Sequence, residues 1–175
     1  TLETPGMASI RDSSLIGALT KDAKIMDSRL LTIVVPVYNE AESLSALTDE
    51  IRQIARDNHL NVEVLFVDDG STDETSQVAR DCGVDHVVRL PSNRGLAHAF
   101  SVGLEESLKL GADVIVNTDG DNQYHGGDIP KLVKPIVEGR AHLVIGDALE
   151  VLVVPHPRAE MGGGTAFTDN DHLLA

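Results

Sequence analysis

Glu40, Asp68, Asp69, Asp119 and Asp121 each follow closely on a short run of apolar, largely β-branched residues. In an α/β chain that is where strands leave a sheet and ligands sit. Carboxylates brought together repel one another, so their crowding is costly unless a cation or hydrogen-bond donors neutralise it. Magnesium or manganese suits such a set: a hard cation takes one or two carboxylates and completes its sphere with water and substrate phosphates. Taken singly, Asp68-Asp69-Gly70-Ser71 and Asp119-Gly120-Asp121 read equally well as surface turns, because Asp and Gly are turn residues. Their shared place at strand ends is what favours chemistry.

The elements that must position these groups alternate along the chain. Leu31 to Val37 reads as a strand covered on both faces. Asn39 and Glu42 then stand at capping-box spacing ahead of Leu44, Leu47, Ile51 and Ile54, whose separations of three and four define one helical face. Val62 to Val67 is a second strand, and Ser71 with Glu74 opens the next helix. His86 to Leu90 makes a weaker third strand, Gly95 to Leu110 a helix closed by Gly111, and Val114 to Val116 a fourth strand running into Asp119. A helix from Asp128 to Glu138 contains Pro135, which should kink or shorten it, and Leu143 to Gly146 is a fifth strand. The alternation predicts an α/β fold with a mostly parallel sheet and helices on both faces. Residues 1–29 read as a loosely ordered leader, 30–148 as the ligand-binding domain and 149–175 as an irregular tail, within which Leu149 to Val154 has the character of one more strand.

Composition narrows the partners. A net charge of −14 argues against nucleic acid, which is held by clustered Lys and Arg. So does the scarcity of aromatics, with three Phe, two Tyr and no Trp for base stacking. Cys82 is the single cysteine, which precludes an intrachain disulfide and suits a reducing compartment. No apolar run approaches the length of a membrane span and no signal-peptide core opens the chain, so a cytoplasmic protein, able to work peripherally at a membrane, is expected. No G-x-G-x-x-G follows the first strand, and Gly162-Gly163-Gly164-Thr165 lacks the lysine of a P-loop.

Four segments together carry a family signature: Val35-Pro36-Val37-Tyr38-Asn39-Glu40, Val67-Asp68-Asp69-Gly70-Ser71-Thr72-Asp73, Asn93-Arg94-Gly95-Leu96 and Asp119-Gly120-Asp121-Asn122-Gln123. In this order and spacing they resemble the motifs of family 2 glycosyltransferases, most closely the polyprenyl-phosphate sugar transferases of the dolichyl-phosphate mannosyltransferase type. The resemblance implies a GT-A-type, Rossmann-like nucleotide-diphospho-sugar transferase fold. It implies that Pro36, Tyr38 and Glu40 line a nucleotide pocket and that Val67 and Asp69 meet the base, a carboxylate being a fit acceptor for ring N–H groups. Asp119 would contact ribose or metal, Gly120 would contribute backbone, Asp121 would be the main metal ligand and catalytic group, and Gln123 would add an oxygen. The cofactor would be Mg2+ or Mn2+, the donor a GDP- or UDP-hexose, and the acceptor a lipid phosphate at a membrane surface, with inversion at the anomeric carbon.

The resemblance covers about Leu31 to Asp147. Gly120 stands where this branch usually has Ala, a mild change, whereas Ala148 stands where an Arg would contact the diphosphate. Beyond Asp147 the family pattern is lost, so a fold truncated on its C-terminal side is expected, with a sheet edge inviting self-association. A non-catalytic remnant that binds nucleotide-sugar without transferring it is the alternative reading, and an α/β interaction domain without ligand is a third. His125, close behind the Asp-x-Asp motif, is read as a solvated loop residue, His98 as a surface or capping residue, and Arg94 as an ordinary exposed arginine within reach of a phosphate.

Overall fold

The structure is a computed structural model that describes residues 29–118 and 128–146, together with the backbone of strands at 149–153, 166–168 and 173–174. Strands β1 (Leu30–Val37), β2 (Asn61–Asp68), β3 (His86–Arg89), β4 (Val114–Thr118), β5 (Leu143–Ile145), β6 (Leu149–Val153), β7 (Ala166–Thr168) and β8 (Leu173–Leu174) join one sheet in the order β3-β2-β1-β4-β6-β5-β7-β8. Helices α1 (Leu44–Asp57), α2 (Thr75–Asp81), α3 (Leu96–Leu110) and α4 (Ile129–Val137) lie against it. Strands β3, β2, β1 and β4 are mutually parallel, and β6 runs antiparallel between β4 and β5. The α/β architecture with a mostly parallel sheet is therefore as the sequence predicts. The strand character of Leu149 to Val154 is met by β6, which is inserted antiparallel between β4 and β5.

Alternation along the strands sorts the core onto two faces. Ile33, Val35, Val37, Val64, Phe66, Val114 and Val116 pack with Leu44, Leu47 and Ile51 of α1, Ala79 of α2, and Ile129, Leu132, Val133 and Ile136 of α4. Val34, Leu65, Val67 and Ile115 point the other way, towards Ala99 of α3. The α3 face is tight. A Cβ on Gly103 would stand 2.3 Å from Val34 Cγ1 and 3.3 Å from Val67 Cγ2, so only a glycine lets this helix seat on β1 and β2. Ser107, one turn on and equally buried, satisfies its hydroxyl by donating 2.7 Å back to the Gly103 carbonyl.

Several local expectations are met and two are corrected. Gly111 closes α3 in the left-handed region at φ 85°, and α4 stops two residues beyond Pro135. Asn39, however, is not a helix cap. α1 begins only at Leu44 with Ser43 before it, and Asn39 instead takes a left-handed conformation, φ 57°, because its side chain is needed across the loop. Ser71 likewise does not open α2, which starts at Thr75; its hydroxyl accepts the Asn39 N–H at 2.9 Å.

Candidate functional site

The four parallel strands bring their C-terminal ends to one edge of the sheet, where strand order reverses between β1, which leads to β2 on one side, and β4 on the other. Such a reversal opens a crevice. Pro36 sharpens it. Successive residues of a strand turn their amide groups to alternate neighbours, and the Val37 carbonyl, accepting from Asp69 N–H at 2.9 Å, faces β2. Pro36 therefore faces β4, and with no N–H to donate it cannot extend that ladder. The β1–β4 pairing runs from Leu31↔Val114 to Val34↔Asn117, while the β1–β2 pairing continues to Val37↔Asp68. A proline inside a central strand is tolerated here because it lies where the strands part.

Around this edge the expected nucleotide-pocket residues assemble in two tiers. Pro36 and Val67 are register partners and both buried, Val67 within the core beneath α3. Tyr38 is 42% exposed and Glu40 half-buried just beyond the end of β1. Asp69, at the end of β2, is only 4% exposed. Its two oxygens are both engaged: Oδ1 accepts the Arg94 N–H at 2.9 Å and Oδ2 the Gly95 N–H at 2.7 Å.

Asp68, its neighbour, points to the opposite face. It is fully buried, accepting the Ser71 N–H at 2.8 Å and the Ser76 hydroxyl, with Arg89 Nε 3.9 Å away. Arg89 in turn donates to the Ser71 carbonyl at 2.9 Å. Asp68 is thus the keystone of its own turn, and the acidic pair divides between two structural environments.

A polar lattice that the sequence does not reveal ties the β1–α1 loop to the β2–α2 turn. Asn39 Oδ1 accepts from Thr72 N–H at 2.9 Å and from its hydroxyl at 3.3 Å. The Glu40 N–H donates to Thr75 Oγ1 at 2.9 Å, and the Thr75 hydroxyl donates onward to Asp73. That donated bond is the largest cause holding the Asp73 carboxyl below its ordinary range. The signal for this lattice was the density of small hydroxyl and amide residues in both segments, which sequence reasoning spent on helix caps. A second junction missed is Gly70: at φ 74°, its Cβ would stand 2.5 Å from the Ser92 carbonyl carbon and 2.7 Å from Asn93 N. The turn after β2 and the bend before α3 touch backbone to backbone.

Asp119, Gly120, Asp121 and Gln123 lie outside the described residues, as do His125 and Ala148. Among the described residues no three His, Cys, Asp or Glu side chains gather as a metal site. The expected metal ligands are carboxylates and an amide oxygen following β4, a hard-oxygen donor set suited to Mg2+ or Mn2+, and β4 delivers the chain to the edge that carries Asp69 and Tyr38. Arg94 has an exposed side chain above its anchored N–H; His98 is half-buried on α3 and Cys82 half-buried after α2. No described helix is long and apolar enough to cross a membrane.

Comparison with known proteins places this edge in context. The model of the family described as "Glycosyl transferase family 2" matches residues 32–161, so the match runs past Asp147, where the sequence motifs give out. An undecaprenyl-phosphate mannosyltransferase of Micrococcus luteus is 35% identical over 123 residues, 67% of this chain and 47% of that protein. A UDP-N-acetylglucosamine–dolichyl-phosphate N-acetylglucosaminyltransferase of Methanococcus voltae is 25% identical over 141 residues, 71% of this chain and 54% of that one. Among solved structures, glucosyl-3-phosphoglycerate synthase of Mycobacterium tuberculosis in complex with Mn2+, UDP and glucosyl-3-phosphoglycerate is 25% identical, with a TM-score of 0.59 over 83% of this chain and 50% of its own. The chain spans about half the length of these proteins. With a family match over most of its length and a parallel sheet opening at the β1/β4 reversal, the chain belongs to glycosyl transferase family 2 and has the GT-A-type fold.

Proposed function

We propose that this chain forms the donor-binding part of a glycosyltransferase that moves a hexose from a GDP- or UDP-sugar to a polyprenyl phosphate, with inversion and with Mg2+ or Mn2+. The reading is supported by the β1/β4 edge: the β1–β4 ladder stops short of Pro36, and Tyr38, Glu40, Val67 and Asp69 lie at or just beyond the ends of β1 and β2 beside it. Relatives named for undecaprenyl-phosphate and dolichyl-phosphate acceptors support the lipid phosphate, and a fold relative crystallised with Mn2+ and UDP supports the donor and the ion.

Pro36 and Val67 give the nucleoside an apolar floor, and Tyr38 and Glu40 border it from β1. Asp119, Asp121 and Gln123 would hold the divalent ion, which supplies charge neutralisation for the departing nucleoside diphosphate when bound. In the transfer, the bond from the anomeric carbon to the donor's diphosphate oxygen breaks and its electron pair leaves with the nucleoside diphosphate. A phosphate oxygen of the acceptor forms the new bond from the opposite side. That oxygen is already anionic near neutral pH, so positioning rather than proton removal is the protein's main task.

Radiolabelled GDP- and UDP-hexoses, offered with polyprenyl phosphate and Mn2+, test the reading by extraction of label into the lipid phase. Labelled lipid is the expected result. Nucleotide bound with no lipid product would assign the chain binding without transfer, an outcome to which Ala148, in place of a diphosphate-contacting arginine, lends weight. Neither binding nor product would overturn the proposal.

A further inference from the structure

A sheet of this class carries helices on both faces, yet among the described residues the two faces are covered unequally. Helices α1, α2 and α4 share the larger core, which reaches Val144 of β5, whereas α3 alone packs on the other face, over β1, β2 and β4. The register through β6 sets Leu143 in the row of Ile115 and Ile145 in the row of Asn117, so β5 turns both towards the α3 face, and Ile145 is 41% exposed there. Helix α3 adds an apolar flank to this floor. Phe100, Leu104 and Leu108 each follow one residue after the buried Ala99, Gly103 and Ser107, so they stand about 100° round the helix from the sheet contact. In a right-handed crossover from β3 through α3 to β4, that flank is the one towards β4 and β5. Phe100 and Leu104 are half-buried and Leu108 is 51% exposed. An apolar groove therefore runs alongside α3. Packed helices lie ~8–10 Å apart, about two strand spacings, so one further helix fits over β4 and β6.

We propose that residues 15–26 of this chain form an amphipathic helix that docks in this groove beside α3. Leu15, Ile16, Leu19, Ala23 and Met26 recur at separations that put them on one helical face, while Lys21 and Lys24 fall on the other; Ile25 is the one large apolar residue outside that face. The point of attachment selects this occupant. The Leu30 N–H donates to Asp113 Oδ2 at 2.8 Å and the Leu30 carbonyl accepts the Asp113 N–H at 2.9 Å, and Asp113 stands just beyond Gly111, which closes α3. The chain preceding β1 thus enters the sheet beside the Leu108 end of the groove, and only Asp27, Ser28 and Arg29 separate Met26 from Leu30. As a helix the segment spans ~18 Å, close to the ~22 Å of α3. Burial of its apolar face against α3 and β5 supplies the driving force. The inference does not depend on the nucleotide site, so its failure would leave sugar transfer untouched.

Two measurements test it. In the unmodified 175-residue chain, the amides of residues 19–26, which would have partners within the helix, should exchange about tenfold or more slowly than an unstructured chain of the same sequence. Exchange at the unstructured rate would overturn the proposal, and this reading needs no variant to fold. Cross-linking in a Cys82→Ser background then reads position. Both helices would end at the same edge of the sheet, so they run parallel, and Leu19 comes against Leu104. Leu19→Cys with Leu104→Cys should close a disulfide within one chain under mild oxidation, whereas Lys21→Cys with Leu104→Cys should not. Equal closure of the two pairs would contradict a docked face. A disulfide formed only between chains would give the groove to a second copy and overturn the proposal as well.

Discussion

Asp68 and Asp69 are consecutive in the chain and face opposite layers of the molecule. Asp68 is sealed on the side of α1, α2 and α4, where Ser71, Ser76 and Arg89 surround it; Asp69 is turned to the start of α3 at the rim of the crevice. The three-helix face holds a broad aliphatic core and stabilises the sheet, whereas the α3 face is narrow, closed by Gly103, and carries Val67 to the edge. The difference teaches that an acidic pair at a strand end is not one functional unit. Alternation of side chains sends one carboxylate into the architecture and leaves the other at the site.

The largest effect should come from breaking the sealed side. Asp68→Ala leaves the Ser71 amide and the Ser76 hydroxyl buried without an acceptor, and should cost about 3 kcal/mol in urea unfolding; a shift below 1 kcal/mol, on the same scale, would show Asp68 to be dispensable to the fold. Next is the α3 face. Gly103→Val should destabilise by about 2 kcal/mol through overpacking against Val34 and Val67, with nucleotide affinity falling alongside as α3 is pushed away. Unchanged thermal unfolding would mean that the helix seats more loosely than these distances state.

A smaller effect is expected between the loops. Asn39→Ala loses the bonds to Thr72 and places a Cβ residue less suited to the left-handed region, for about 1–2 kcal/mol, while Asn39→Gly should recover the conformational part alone. Equal losses in the two variants would remove the backbone from the explanation. Smallest is Thr75→Val. Asp73 is held low mainly by the Thr75 hydroxyl, so its contribution to stability is present above the ordinary carboxylate range and fades as pH falls through the lowered folded value. The valine variant should titrate Asp73 at higher pH by NMR and flatten that acid-side slope; an unmoved titration would assign the depression to another group.

Much of this fold was legible because its strands are short β-branched runs and its helices carry apolar residues at spacings of three and four. Gly111 and Pro135 marked helix ends for local reasons of backbone geometry, and local reasons are what a sequence displays. The cross-loop contacts were not legible for the opposite cause. Asn39 and Ser71 have the chemistry of helix caps, and only the side-by-side placement of β1 and β2 turns that chemistry towards Thr72 and the Asn39 amide. The strand character of Leu149 to Val154 was legible in its apolar run, and β6 bears it out, because Pro155-His156-Pro157 breaks periodicity after the strand rather than within it. At the site, residue types announced an anionic crevice, but the division of labour between Asp68 and Asp69 depends on which layer each faces.

The most direct test is calorimetric titration of the chain with UDP and GDP, with and without Mn2+, repeated on Asp121→Asn. Saturable binding of at least one nucleotide that requires the metal and is lost in the variant is the expected result. Binding indifferent to both Mn2+ and Asp121, or none under any condition, would contradict a metal-dependent nucleotide-sugar site at this edge of the sheet.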